Sequence, residues 1–189
     1  MARDLTVEKR MKIFQFKVSL DHVEPPVWRR FVISSDATFG ELSDVIQIVM
    51  GWTNLHLHEF FLGAEHIGMK DEDSPAEVKN ENRIRLSSKF KTEKMHFRYL
   101  YDFGDDWKHS IVLEKILTSS DESPRCLAGK RNCPPEDCGG PHQYIEVLAV
   151  RKHPKHPRRK EMSELLAWFD PEFNPERFNL KELNARLAT

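Results

Sequence analysis

The chain predicts an α+β fold: a mainly antiparallel sheet packed against one helix of the N-terminal half and against helices near the C-terminus. Three observations carry this. Apolar and polar residues alternate over most of the stretch up to Leu117, while helical spacing dominates only at 39–50 and beyond Pro141. Strands followed by helices, without regular βαβ alternation, segregate the two kinds of structure. A turn-rich segment at 102–106 joins two alternating runs as a hairpin.

Phe14, Phe16, Val18 and Leu20 alternate with polar neighbours and mark a half-buried strand. Pro25-Pro26 breaks it, and Val27 to Ile33 reads as a second strand pairing with the first. Thr38 and Glu41 fit a capping box ahead of Leu42, Val45, Ile46, Val49 and Met50 at helical spacing, with Gly51 as the stop. Leu55 to Leu62 reads as a strand, Lys70 to Asn82 as a surface excursion, and Arg83 to Leu86 as a short strand. Met95 to Tyr101, the turn Asp102-Phe-Gly-Asp-Asp106, and Trp107 to Leu117 form the hairpin. Pro141 suits the first turn of a helix bearing Tyr144, Ile145 and Leu148, which His153 to Pro157 interrupts. Glu161 to Phe169 reads as a short helix with Leu165 and Trp168 on one side, and Asn179 with Glu182 caps a last helix carrying Leu180, Leu183 and Leu187.

At 189 residues the chain has the length of one domain, and 39% hydrophobic content with four Trp and twelve Phe is enough for a core. The charged fraction of 31% balances at net −1, so only a local patch can attract nucleic acid. No apolar run approaches the ~20 residues of a membrane span, and the N-terminal residues lack the apolar stretch of a signal peptide. The expectation is a cytoplasmic protein with no membrane partner. There, three clustered cysteines read as metal ligands, reactive thiols or packed structural thiols before disulfides.

Chemistry-bearing residues concentrate in three places. The segment Cys126 to Gly140 holds every cysteine, two adjacent prolines, two adjacent glycines, Glu136 and Asp137. Cys126, Cys133 and Cys138 with His142 would make a tetrahedral zinc set, although their spacings are not those of a tight knuckle. The alternative is a rigid loop in which the cysteines pack as small hydrophobes. Cys138, just ahead of the Pro141 helix, sits where a helix dipole favours a thiolate, while Glu136 and Asp137 oppose it. Second, His56 and His58 alternate on the expected strand, and His109 follows Asp102, Asp105 and Asp106. If the strands are neighbours, these groups converge on a metal site of hydrolytic type, with Asp102, Asp105 and His109 as catalytic candidates. The alternative has the histidines hydrogen-bonded within the sheet and the aspartates capping the turn. Third, Arg151, Lys152, Lys155, Arg158, Arg159 and Lys160 fall in ten residues without an acid. They can contact phosphates, or lie solvated beside the negative end of the preceding helix. Trp28 and Trp52 read as core.

Five ordered motifs resemble one family. They are Pro26-Val-Trp-Arg-Arg30; Gly51-Trp52 with His56-Leu-His58 and Phe60; Tyr101-Asp-Phe-Gly-Asp105 with Trp107 and His109; Cys133-Pro-Pro-Glu-Asp-Cys-Gly-Gly140; and Phe169-Asp-Pro-Glu-Phe173 ahead of Asn184 and Leu187. Over roughly residues 11–188 the chain is similar to the plasmid pRiA4b open-reading-frame-three-like family, often labelled an insertion-sequence passenger or TnpR-like protein. His142-Gln143-Tyr144 stands where members usually carry Gly-Tyr. The resemblance implies an α+β fold and an association with mobile elements, and it implies no particular reaction. The expected function is a non-enzymatic binding or interaction module that meets a protein or nucleic acid near the cysteine loop and the basic run 151–160. The runner-up is a metal-dependent hydrolase built on the His/Asp cluster.

Overall fold

The computed structural model describes residues 10–69, 75 and 77–189. Part of the excursion expected at 70–82, namely 70–74 and 76, lies outside the described residues. Eight strands form one sheet: β1 (Met11–Leu20), β2 (Trp28–Ser34), β3 (His58–Leu62), β4 (Glu65–Gly68), β5 (Val78–Asn80), β6 (His96–Tyr101), β7 (Trp107–Ser119) and β8 (Arg125–Lys130). The helices are α1 (Phe39–Met50), the single turn α2 (Leu86–Lys89), α3 (Gly140–Lys152), α4 (Ser163–Trp168) and α5 (Leu180–Leu187). Across the sheet the order is β5-β4-β3-β6-β7-β1-β2-β8, and every pairing is antiparallel except β4 with β5. The α+β class with a mainly antiparallel sheet is therefore the observed one.

Local signals place α1. The Thr38 hydroxyl accepts from Glu41 N while the Glu41 carboxylate accepts from Thr38 N, and Gly51 ends the helix at φ 91°. Leu42, Val45, Ile46, Val49 and Met50 bury their side chains. They cover a sheet face built from Phe14, Phe16 and Val18 of β1, Phe31 and Ile33 of β2, Phe97 and Tyr99 of β6, and Ile111 and Leu113 of β7. The Tyr99 hydroxyl fixes the contact between layers, 2.9 Å from both Ser43 Oγ and Gln47 Nε2. The far face of the sheet is polar: Arg30 pairs with Glu114, which also accepts from Gln15, and Trp28 lies beside Lys17 and Arg30. No helix among the described residues is long and apolar enough to cross a membrane.

Several expectations need correction. The strand expected at Leu55 begins only at His58, because Asn54 and Leu55 donate their N–H groups to the Gln47 side chain and the Tyr101 hydroxyl instead of a ladder. Residues 83–86 are not a strand: a 3-10 turn spans Glu81–Arg83, and the backbone makes one bridge, Thr38 to Arg85, before α2. Cys126 lies in β8 and not in a loop. The helix expected from Glu161 starts at Ser163.

The β8 edge is closed from outside. Cys126 N donates to Asn184 Oδ1 at 2.8 Å, and Asn184 Nδ2 donates to Cys126 O at 3.0 Å, so one α5 side chain satisfies both backbone groups. Phe178 packs so closely over Gly129 that a Cβ there would come within 2.4 Å of the ring.

Candidate functional site

Three connecting segments meet at one end of the sheet: 52–57 before β3, 102–106 between β6 and β7, and 132–139 before α3. Asp102 N donates to Leu57 O at 2.9 Å, Trp52 Nε1 to Pro134 O at 2.9 Å, and Gly139 N to Asp105 Oδ2 at 3.0 Å. Glu136 ties all three, accepting from Thr53 N at 3.0 Å and from the hydroxyls of Thr53 and Tyr101. Backbone conformation is specialised here. Asp102, Asp106 and Asp137 adopt positive φ (56°, 58° and 56°), a region that Asp tolerates because its short polar side chain bonds locally. Asp102 Oδ1 does this, accepting from Gly104 N and Asp105 N. At Gly140, φ is 77° and a Cβ would lie 2.3 Å from Asp105 O, so only glycine permits the loop to close on the turn.

These contacts bring His56 Nε2 to 2.9 Å from Asp137 Oδ1 and 3.6 Å from Asp102 Oδ2. Among the described residues, this is the one place where ligand atoms of at least three His, Cys, Asp or Glu side chains lie within 4.8 Å of one another. The three segments hold five carboxylates (Asp102, Asp105, Asp106, Glu136 and Asp137) and no lysine or arginine. Leu55, Leu57 and Phe103 rise around the cluster, 74%, 56% and 52% exposed. Beneath it, Trp52 stacks on Tyr101 with ring centres 5.0 Å apart. Burial, then the hydrogen bond to Glu136, pushes the Tyr101 phenol upward and keeps it neutral.

The other expected site residues lie elsewhere. His58 points into the core against Glu81 at 2.7 Å, and His109 is fully enclosed, with Nδ1 3.3 Å from Tyr99 O. The structure thus gathers His56 with Asp102 and does not bring His56, His58 and His109 to one point. Asp105 acts through its carboxylate on Gly139 N. Cys126, Cys133 and Cys138 are buried free thiols, while His142 is exposed on α3. Cys133 Sγ lies 3.4 Å from Arg29 and 3.6 Å from Met50 Sδ. Burial raises all three thiols, Cys138 to about 12, with Asp105 adding to the shift there. That opposes the thiolate form which nucleophilic attack requires, and among the described residues these cysteines and His142 do not gather into a ligand cluster. In the basic run, Arg151 donates to the carbonyls of Asp170, Pro171 and Phe173, Arg158 pairs with Glu146 and Glu161, and Arg159 donates to Val150 O. Lys152, Lys155 and Lys160 are exposed. Asp137 as a partner of His56, and the apolar rim, were not among the expected site residues; the carboxylates inside the cysteine-rich segment were the available signal.

The matches to known proteins cover these motifs. A family model described as plasmid pRiA4b ORF-3-like protein matches residues 12–182. An uncharacterised protein of Sinorhizobium fredii, y4hQ, is 38% identical over 177 residues, covering 91% of this chain and 89% of its own. The crystal structure of a protein of unknown function, MM3350 from Methanosarcina mazei Go1, has a TM-score of 0.80 at 34% identity, covering 91% of this chain and 97% of that one. The protein described here therefore belongs to the plasmid pRiA4b ORF-3-like family.

Proposed function

We propose that the protein is a non-enzymatic binding module, associated through its family with mobile genetic elements, that docks a basic polypeptide segment bearing apolar anchors. One observation carries the reading: Leu55, Leu57 and Phe103 are exposed around five carboxylates, of which Asp106 pairs with Lys108 while Asp102, Asp105, Glu136 and Asp137 have no lysine or arginine partner among the described residues. An exposed apolar group ringed by charge is the composition of a docking surface. The sign of the charge selects the partner, since phosphates would be repelled here. The basic run is the weaker nucleic-acid surface, because Arg151, Arg158 and Arg159 are engaged within the protein.

The test is fluorescence anisotropy with three labelled probes: a Lys/Arg peptide carrying Leu and Phe, an acidic peptide with the same apolar residues, and duplex DNA. The basic peptide is expected to bind tightest and to weaken with salt. Leu55→Ser combined with Phe103→Ser is expected to weaken it by about tenfold or more, since burying one such side chain contributes roughly 1.5–3 kcal/mol. Equal binding of the acidic peptide, or wild-type affinity in the folded double variant, would refute the docking surface. Binding of DNA that Lys152→Glu, Lys155→Glu and Lys160→Glu abolish would move the function to the basic run.

A further inference from the structure

The geometry points to a three-ligand site for a divalent metal ion, held by His56 Nε2, Asp102 Oδ2 and Asp137 Oδ1 at the centre of this confluence. The ion site shares the surface proposed above, but its test does not depend on a protein partner.

The spacing fits first. Two ligand atoms each about 2.1 Å from one ion, at angles near 90–110°, are about 3.0–3.4 Å apart. The observed separations from Nε2, 2.9 and 3.6 Å, fall just below and just above that range, and all three atoms lie within 4.8 Å of one another.

Hydrogen bonding alone does not explain the contact. His56 Nε2 is buried from solvent and makes no properly directed hydrogen bond, even though Asp137 Oδ1 is only 2.9 Å away. The ring N–H direction misses the carboxylate. With the proton on Nδ1 instead, a nitrogen lone pair and two carboxylate oxygens would face a common point, an arrangement that a cation relieves.

Charge makes the same demand. Asp102 is 9% exposed, its Oδ1 is taken by the turn amides, and Oδ2 faces His56. No lysine or arginine pairs with Asp102 or Asp137 among the described residues. A carboxylate so enclosed calls for a counter-charge, which a bound cation supplies and which a protonated His56 would otherwise have to supply.

The supporting shell is in place. Gly104 and Asp105 amides orient Asp102, and the Asp105 carboxylate holds Gly139 N, which anchors the loop carrying Asp137. One imidazole with two carboxylates selects a zinc, manganese or ferrous class of ion over soft thiolate-seeking ones. Asp137 is exposed, which gives the ion an entry path. Three protein ligands leave coordination positions open to water or to an acceptor group of a partner.

The experiment is isothermal titration of the full chain, stripped with chelator and dialysed, with zinc and with manganese. Wild type is expected to bind one ion. His56→Ala and Asp137→Asn are each expected to weaken binding by about tenfold or more, asparagine keeping the positive φ of position 137. Cobalt substitution should show nitrogen ligation in the wild type that His56→Ala loses. His142→Ala is expected to bind as wild type does. Absence of binding, or full affinity in both folded ligand variants, would overturn the site. Loss of binding in His142→Ala alone would also overturn it and would place the ion with the cysteines. Basic-peptide affinity measured on the same variants separates the two proposals, because metal loss with peptide binding intact touches only the ion site.

Discussion

Acidification is expected to destabilise this protein through one residue, His109. Its ring is enclosed by Trp52, edge-on at 5.3 Å between ring centres, and by Tyr99 at 5.4 Å, with no charged partner among the described residues. Burial pulls its pKa down from 6.5 to about 4, with backbone contacts to Tyr99 and Trp107 opposing the shift more weakly. The unfolded chain therefore binds a proton at this position between pH 6.5 and 4, where the native chain does not. Stability is fully present above about pH 6.5 and falls by roughly 1.4 kcal/mol for each pH unit below it, levelling near the native pKa. The fall from 6.5 to about 4 corresponds to roughly 3 kcal/mol, most of it lost by about pH 4.5. The assay is urea unfolding across this range for wild type and His109→Gln. Subtracting the two curves removes the background from carboxylates and the remaining histidines. The difference is expected to shrink as pH falls, the variant losing its disadvantage. A difference that stays constant from pH 7.5 to 4.5 would show that His109 titrates normally and is not enclosed as described.

Further substitutions, each with its control, probe the fold around the site. Gly140→Ala places a methyl against Asp105 O at a left-handed φ and is expected to cost about 2 kcal/mol or more, whereas Gly63→Ala, also left-handed but in open space, costs only about 1 kcal/mol; thermal unfolding compares them. Tyr99→Phe leaves Ser43 and Gln47 without their shared partner and is expected to cost about 1–3 kcal/mol, a loss that Tyr99→Phe with Gln47→Leu recovers in part in a double-mutant cycle.

What could be read from residues alone depended on how local the signals were. The helix α1 was fully legible because its cap, apolar spacing and terminal glycine are contiguous. The β6–β7 hairpin was legible for the same reason. The strand β8 was not: Cys126-Leu-Ala-Gly has little β-propensity, and its pairing with β2 is set by distant chain. The site was half legible. Residue type alone pointed to His56 and Asp102, but the argument that His56 and His58 share a face assumed a strand from Leu55. The ladder starts at His58, so alternation says nothing of His56, while it sends His58 inward to Glu81. Asp137 escaped because its segment was judged on cysteine spacing, and the backbone twist that aims its carboxylate is set by contacts across 34 or more residues.

The Asn184 amide on Cys126 has a consequence for how other chains can approach. Sheet proteins acquire partners most simply by strand addition, and they also aggregate that way, both through unpaired edge amides and carbonyls. At β8 a side chain already occupies the position a visiting strand would take, in the manner of a cap rather than a neighbour. A visiting strand would have to displace Asn184 to pair with Cys126, which disfavours main-chain recognition and sheet-to-sheet growth at that point of the edge. At this edge, specificity must then be written in side chains, as it is around His56.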